Sequence, residues 1–160
     1  MIKKIFGLAT LLFLILVSCQ SKIKNTTINS DKVIEQQPTA IHYDLAKNYF
    51  VKSTVKKIQN PKIKTAEQFN QIFGMATTMG INGKPTAIDF AKKYVIAVIL
   101  PETDLKTTVE PVSLKKNKKG EIALKYKIEI GDKQSYKTVP FFAIIVHKTD
   151  DGELIVTELK

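Results

Sequence analysis

The sequence predicts an α+β domain over residues 41–160: a single antiparallel β-sheet of about five to six strands with one or two short helices packed on it. Three stretches carry that expectation. "EIALKYKIEI" alternates apolar and polar residues, "YVIAVIL" is apolar throughout, and "TAEQFNQIFG" has helical spacing between a start signal and a stop signal. Runs of strands with a single helix among them give the α+β class, whereas a parallel doubly wound sheet would need a helix between every two strands. At 160 residues, with 44% hydrophobic and 25% charged residues, the chain is long enough for one such domain.

In chain order, "HYDLAKNYFVKSTV" opens the domain with a helical turn and then a short strand at Tyr49–Val51. In "TAEQFNQIFG", Thr65 caps the helix and Gln68, three residues on, completes a capping box; Gly74 ends it. Phe69, Ile72 and Phe73 fall at i, i+3 and i+4 and form one apolar face, so the helix is packing material. The glycines, asparagine and proline of "TTMGINGKPTAIDF" mark a loop. Tyr94 to Leu100 is the central buried strand, stopped by Pro101. "TTVEPVSL" and "EIALKYKIEI" face each other across the turn "KKNKKG". In the second of these, Ile122, Leu124, Tyr126, Ile128 and Ile130 lie on the buried side. "VPFFAIIVHK" follows, and "TDDG" joins it to "ELIVTELK" as a hairpin. Pro38-Thr39-Ala40-Ile41 recurs as Pro85-Thr86-Ala87-Ile88, but the similarity stops there, and repeated strand-entry chemistry explains it better than duplication.

The N-terminus carries the most specific signal. Lys3 and Lys4 precede an apolar run from Ile5 to Val17, short of the roughly 20 residues a membrane-crossing helix needs, and small Ser18 follows. This is a secretory signal peptide over residues 1–18. Leu16-Val17-Ser18-Cys19 resembles the bacterial lipobox, in which the cysteine thiol is acylated and the peptide is cut before it. The resemblance implies that Cys19, the lone cysteine, becomes the first residue of a lipoprotein and carries the membrane anchor, with diacylglycerol on sulfur and palmitate on the new amine. Two or three acyl chains, at ~0.8 kcal/mol per buried CH₂, hold a protein stably where one would not. Residues 19–40 are polar and without hydrophobic periodicity, a flexible tether that holds the domain about 25 Å from the bilayer. No acidic cluster follows Cys19, which by resemblance to lipoproteins of the Bacteroidota favours a periplasm-facing anchor in the cell envelope over surface exposure.

Catalytic chemistry finds little support. His42 and His147 are far apart in sequence and have neither metal-ligand spacing nor a cysteine partner, so both read as structural and no metal or other cofactor is expected. Ser113, His147 and Asp89 would make a trio on paper, without a nucleophile elbow. Glu102 and Asp104 in "PETD" read as a solvated turn. The formal net charge of +10 comes entirely from lysine; arginine is absent. Lys115, Lys116, Lys118 and Lys119 therefore read as a solvated hairpin tip, since nucleic-acid recognition draws on the bidentate arginine fork. "GINGKP" has neither P-loop nor dinucleotide spacing.

Phe69 to Phe73, "IDFAKKYVIAVIL" with its Asp89-Phe90 entry, the strand Ile122 to Ile130 and the apolar run before Lys148 together resemble the domain of the PrcB-like lipoproteins, over about residues 60–160. Those are accessory subunits of a surface protease complex, and the family brings no catalytic residue. Pro101-Glu102-Thr103-Asp104 stands where that resemblance would place a glycine-tyrosine segment. The expectation is a lipid-anchored, non-enzymatic module that binds another envelope protein and no nucleic acid; the competing reading is a small envelope hydrolase or ligand-binding lipoprotein.

Overall fold

A computed structural model describes residues 38–80 and 83–160; the signal peptide, Cys19 and nearly all of the tether lie outside the described residues. Among the described residues ten strands form three sheets around one α-helix. The α+β class holds, but the single sheet of five to six strands does not.

Strands β6 (Lys93–Ile99) and β9 (Phe141–His147) pair antiparallel along their whole length, with Ile96 opposite Ile144. They form the centre of one sheet, whose edges are the two-residue strands β2 (Asp44–Leu45) on β9 and β4 (Lys62–Ile63) on β6. Both central strands are buried on both faces, which is why their sequences are apolar without alternation. One face, with Tyr94, Ile96, Val98, Phe142, Ile144 and Val146, packs against a second sheet. The other face, with Val95, Ala97, Ala143 and Ile145, packs under the helix. A single sheet could not cover two apolar faces at once, and this is the physical reason that the sheet count exceeds the expectation.

The second sheet has the order β1-β7-β8-β10. Here β7 (Thr103–Lys116) and β8 (Ile122–Thr138) form a long antiparallel hairpin, β1 (Thr39–Ala40) covers the end of β7, and β10 (Leu154–Leu159) flanks β8. Pro111 lies beside a register shift, in a part of β7 with no neighbour on its other side, where its missing N–H breaks no ladder. Val109, Leu114, Ile122 and Leu124 are the buried teeth of this sheet. Each such side chain contributes roughly 1.5–3 kcal/mol of burial. Ile128 is half-buried and Ile130 exposed, because the hairpin continues past the core.

The helix α1 (Ala66–Ile72) is capped as its sequence requires: Thr65 Oγ1 accepts from Gln68 N at 3.2 Å, and Gln68 Oε1 accepts from Lys64 N at 3.0 Å. It ends earlier than expected. Phe73 is already extended and Gly74 belongs to β5 (Phe73–Met75), which pairs with β3 (Tyr49–Val51). Gly74 is needed for a different reason: the Phe50 ring lies over it, 2.3 Å from where a Cβ would stand. The helical turn expected near His42 is absent. Its place is taken by β2 and by Asn48 at φ 61°, a left-handed conformation that asparagine tolerates better than most residues.

The hairpin expected at "TDDG" is also corrected. A single 3₁₀ turn, Lys148–Asp150, carries the chain from one sheet to the other, and β10 runs parallel to β8 with Leu154 beside Ile122. Two features enforce the crossover. Asp151 is clamped by Lys62 of β4 and by Lys64 just beyond that strand, and Gly152 passes so close to the Gly120 carbonyl that a Cβ would sit 1.9 Å from its oxygen.

Candidate protein-binding edge

Strand β10 is the outer edge of its sheet, and its sequence divides its faces. Leu154 and Val156 turn inward onto the core, while Ile155, Thr157 and Leu159 face solvent, with Ile155 47% and Leu159 37% exposed. Ile122 N donates to the Glu153 carbonyl at 2.6 Å. Backbone groups alternate sides along a strand, so Ile155, Thr157 and Leu159 also bond toward β8. Leu154, Val156 and Glu158 therefore aim their N–H and C=O groups at the open edge. Elsewhere the sheets end in strands of two or three residues, the short form that discourages further pairing, and the outer side of β7, open ahead of its contact with β1, is broken by Pro111 and by register shifts. At six residues, with no proline, β10 lacks such protection. On the same outer face Lys125 lies beside Thr157 and Lys127 beside Leu159. Lys127 is held by Glu129 at 2.6 Å and Glu110 at 3.5 Å, and Lys125 has no ion pair among the described residues.

The edge is positioned by a charged cluster at its entry. Lys62 Nζ reaches Asp151 Oδ1 at 2.6 Å and also donates to the Gly152 carbonyl; Lys64 Nζ reaches Asp151 Oδ2 at 2.7 Å, and Gly152 N donates to Oδ1 at 2.9 Å. The Lys62 side chain is only 11% exposed, with its ammonium 5.4 Å from the centre of the Tyr94 ring. Partial burial alone would raise the Asp151 pKa, but the hydrogen bonds from Lys62, Lys64 and the Gly152 N–H outweigh it and hold the carboxyl well below its usual range. Burial, with the nearby carboxylates of Asp151 and Asp150 adding to it, pushes the Tyr94 phenol far above its usual range, so it stays a neutral donor to the Asp150 carbonyl at 3.4 Å.

A second apolar feature lies beside α1, a groove of about 440 Å³ whose walls include Tyr49, Phe69, Ile88 and Phe90, with Met75, 67% exposed, at its rim. Its rings stack into the core, Tyr49 edge-on to Phe69 at 4.9 Å, and Tyr49 Oη donates to the Thr86 carbonyl at 2.7 Å. It offers shape and apolar surface, with Asn70, Thr77 and Lys84 among its polar lining.

The residues singled out in the sequence are dispersed. Cys19 lies outside the described residues. Exposed His42 stands 3.7 Å from Asp44, and His147 ends β9 opposite Lys93. Ser113 faces Lys125 in the other sheet, and Asp89 builds a turn, its Oδ1 accepting from Ala91 N and its carbonyl from Lys92 N and Lys93 N. No hydrogen bond joins Ser113, His147 and Asp89. Glu102 pairs with Lys137 at 3.8 Å and Asp104 with Lys133 at 3.1 Å, so both carboxylates serve the hairpin. At the lysine-rich tip, Asn117 Oδ1 accepts from the N–H groups of Lys119 and Glu121, and Lys116 Nζ donates to the Asp151 carbonyl. Among the described residues no group of three or more histidine, cysteine or carboxylate side chains is placed to hold a metal ion, and no helix is long and apolar enough to cross a membrane. The β10 edge itself escaped sequence reading because "ELIVTELK" was assigned a hairpin partner; its one signal is an apolar strand with no internal lysine or proline to guard it.

Comparison with protein-family models, with curated proteins and with solved structures finds no match to this chain.

Proposed function

We propose that the protein is a cell-envelope lipoprotein, anchored through Cys19, whose domain works without catalysis as a binding or accessory module for another envelope protein. A protease complex of the kind served by the PrcB-like lipoproteins is the partner that the resemblance suggests. The observation that carries the reading is the β10 edge: six residues long, apolar on its exposed face, with the backbone groups of Leu154, Val156 and Glu158 directed outward. An extended segment of a partner can add there as a further strand, gaining main-chain hydrogen bonds from the edge and side-chain contacts from Ile155 and Leu159. The lipid anchor would raise the local concentration of the module near membrane partners without adding a contact.

The test is a photo-crosslinker at Thr157 in the full chain in living cells, with one at Thr108 on β7 as control. Cross-linking of a discrete envelope protein from Thr157 alone, lost when Glu158→Pro removes an outward N–H, is the expected result. Equal capture from both positions, or hydrolysis of an ester, peptide or glycoside by the full chain, would overturn it. For the anchor, Cys19→Ala abolishes fatty-acid labelling; label persisting in that variant would place the lipid elsewhere.

A further inference from the structure

The lysine cluster conspicuous in the sequence is the hairpin tip, but the structure collects a second one whose surroundings differ. Between Asp44 and Glu67 the chain has six lysines and no acidic residue. Three of them, Lys56, Lys57 and Lys62, line a groove of about 610 Å³ between the loop 54–60 and α1, and no carboxylate lines it. Lys56 and Lys57 are exposed and form no ion pair among the described residues. Lys62 and Lys64 share the one carboxylate of Asp151, leaving one positive charge in excess.

The amides of the same groove are oriented by the backbone. Asn60 Oδ1 accepts from Lys62 N at 2.8 Å, and Gln68 Oε1 accepts from Lys64 N at 3.0 Å. With both oxygens occupied, each amide has its NH₂ left as the group to offer a ligand. Gln59 and Gln71 add two further amides. Apolar Val55, Ile58 and Ile72 complete the walls. The tip lysines stand in the opposite setting, with Glu121 and Asp150 beside them and Lys116 already donating to Asp151.

From this we infer that the groove between loop 54–60 and α1 is a binding site for a phosphate-bearing anion, held by Lys56 and Lys57, with Lys62 and the NH₂ groups of Asn60 and Gln68 as further donors. Its volume exceeds that of a single phosphate, so the ligand class is a polyphosphate or a phosphorylated headgroup. Lysine serves here as a point charge, for which no planar fork is needed. The phosphate can belong to a soluble compound or to an anionic lipid beneath the domain; the chemistry at the groove is the same.

Acetylation footprinting of the full chain separates these cases. The chain is reconstituted in phosphatidylcholine nanodiscs, with and without millimolar tripolyphosphate, and in discs containing phosphatidylglycerol, and each lysine's reactivity is read by mass spectrometry. The expected result is a fall of about fivefold or more at Lys56 and Lys57 with no comparable change at Lys118 and Lys119, weakening as salt screens the charges. Protection by tripolyphosphate assigns a soluble anion, and protection only in phosphatidylglycerol discs assigns a lipid headgroup. Equal protection of both clusters would mean diffuse attraction to a basic surface, and that outcome, or unchanged reactivity of Lys56 and Lys57 with both probes, overturns the inference.

Discussion

The two large sheets answer different demands with nearly the same residues. The β2-β9-β6-β4 sheet is covered on both faces, and a short strand covers the middle of each of its edges. The β1-β7-β8-β10 sheet buries one face, gives the other to lysines, glutamates and a few apolar side chains, and leaves a six-residue strand at one edge. Stability and recognition are thus divided between them. A sheet covered on both faces and along the middle of its edges presents little backbone to a partner, and a sheet open to solvent contributes less per side chain to the core.

The largest expected effect tests that division. Ile144→Ala, in the enclosed sheet, should cost about 2–5 kcal/mol in a denaturant titration, while Ile128→Ala in the open one should cost about 1 kcal/mol. Equal losses would mean that the second sheet is as much core as the first. Next is the clamp at the crossover between the sheets. Asp151→Asn leaves the nearly buried Lys62 ammonium poorly compensated, and a loss of roughly 1–3 kcal/mol is expected. The same group sets an acid limb. Its folded pKa is depressed, so its stabilisation is complete above the ordinary carboxylate value of about 4 and is lost as pH falls through the lower folded value. In Asp151→Asn this limb should flatten in pH-dependent unfolding; an unchanged limb would assign it to other carboxylates.

Smaller still is Glu158→Pro, where the N–H points away from β8 and the side chain is exposed. Stability should shift by less than about 1 kcal/mol while partner capture is lost. A variant that unfolds would show that the outward N–H supports the fold. Smallest is Lys133→Ala, which breaks an exposed pair with Asp104 and should change stability by no more than about 0.5 kcal/mol.

How much of this was legible in the sequence depended on whether the signal was local. The capped start of α1, the strand Tyr49–Val51 and the apolar runs of β6 and β9 follow from spacing alone, and all four stand in the structure. Sheet membership does not. The apolar character of β6 and β9 said that both faces were covered but not by what, and nothing near "TDDG" announces that Asp151 is bound by Lys62, 89 positions away. Gly74 was read as a helix stop because glycine often is one, whereas its role here is the space it leaves for the Phe50 ring. The groove at Lys56 and Lys57 was missed for a related reason: the lysines are spread over a loop, and only the folded chain brings the amides of α1 to them.

The arrangement of β6 to β9 also fixes an order of events in time. Strands β6 and β7 run antiparallel to β8 and β9 as one long ribbon, closed by the turn Asn117–Gly120 and doubled over between Ile99 and Thr103 and between Thr138 and Phe141. Such a ribbon can zip from its turn, each new pair closing only a small additional loop. Strand β10 has no such shortcut: its parallel register joins Leu154 to Ile122 and needs the ribbon as a template. The transition state for folding should therefore already contain the Asn117–Gly120 end of the hairpin and not yet β10, and the last strand to arrive leaves its own outer edge open to another chain.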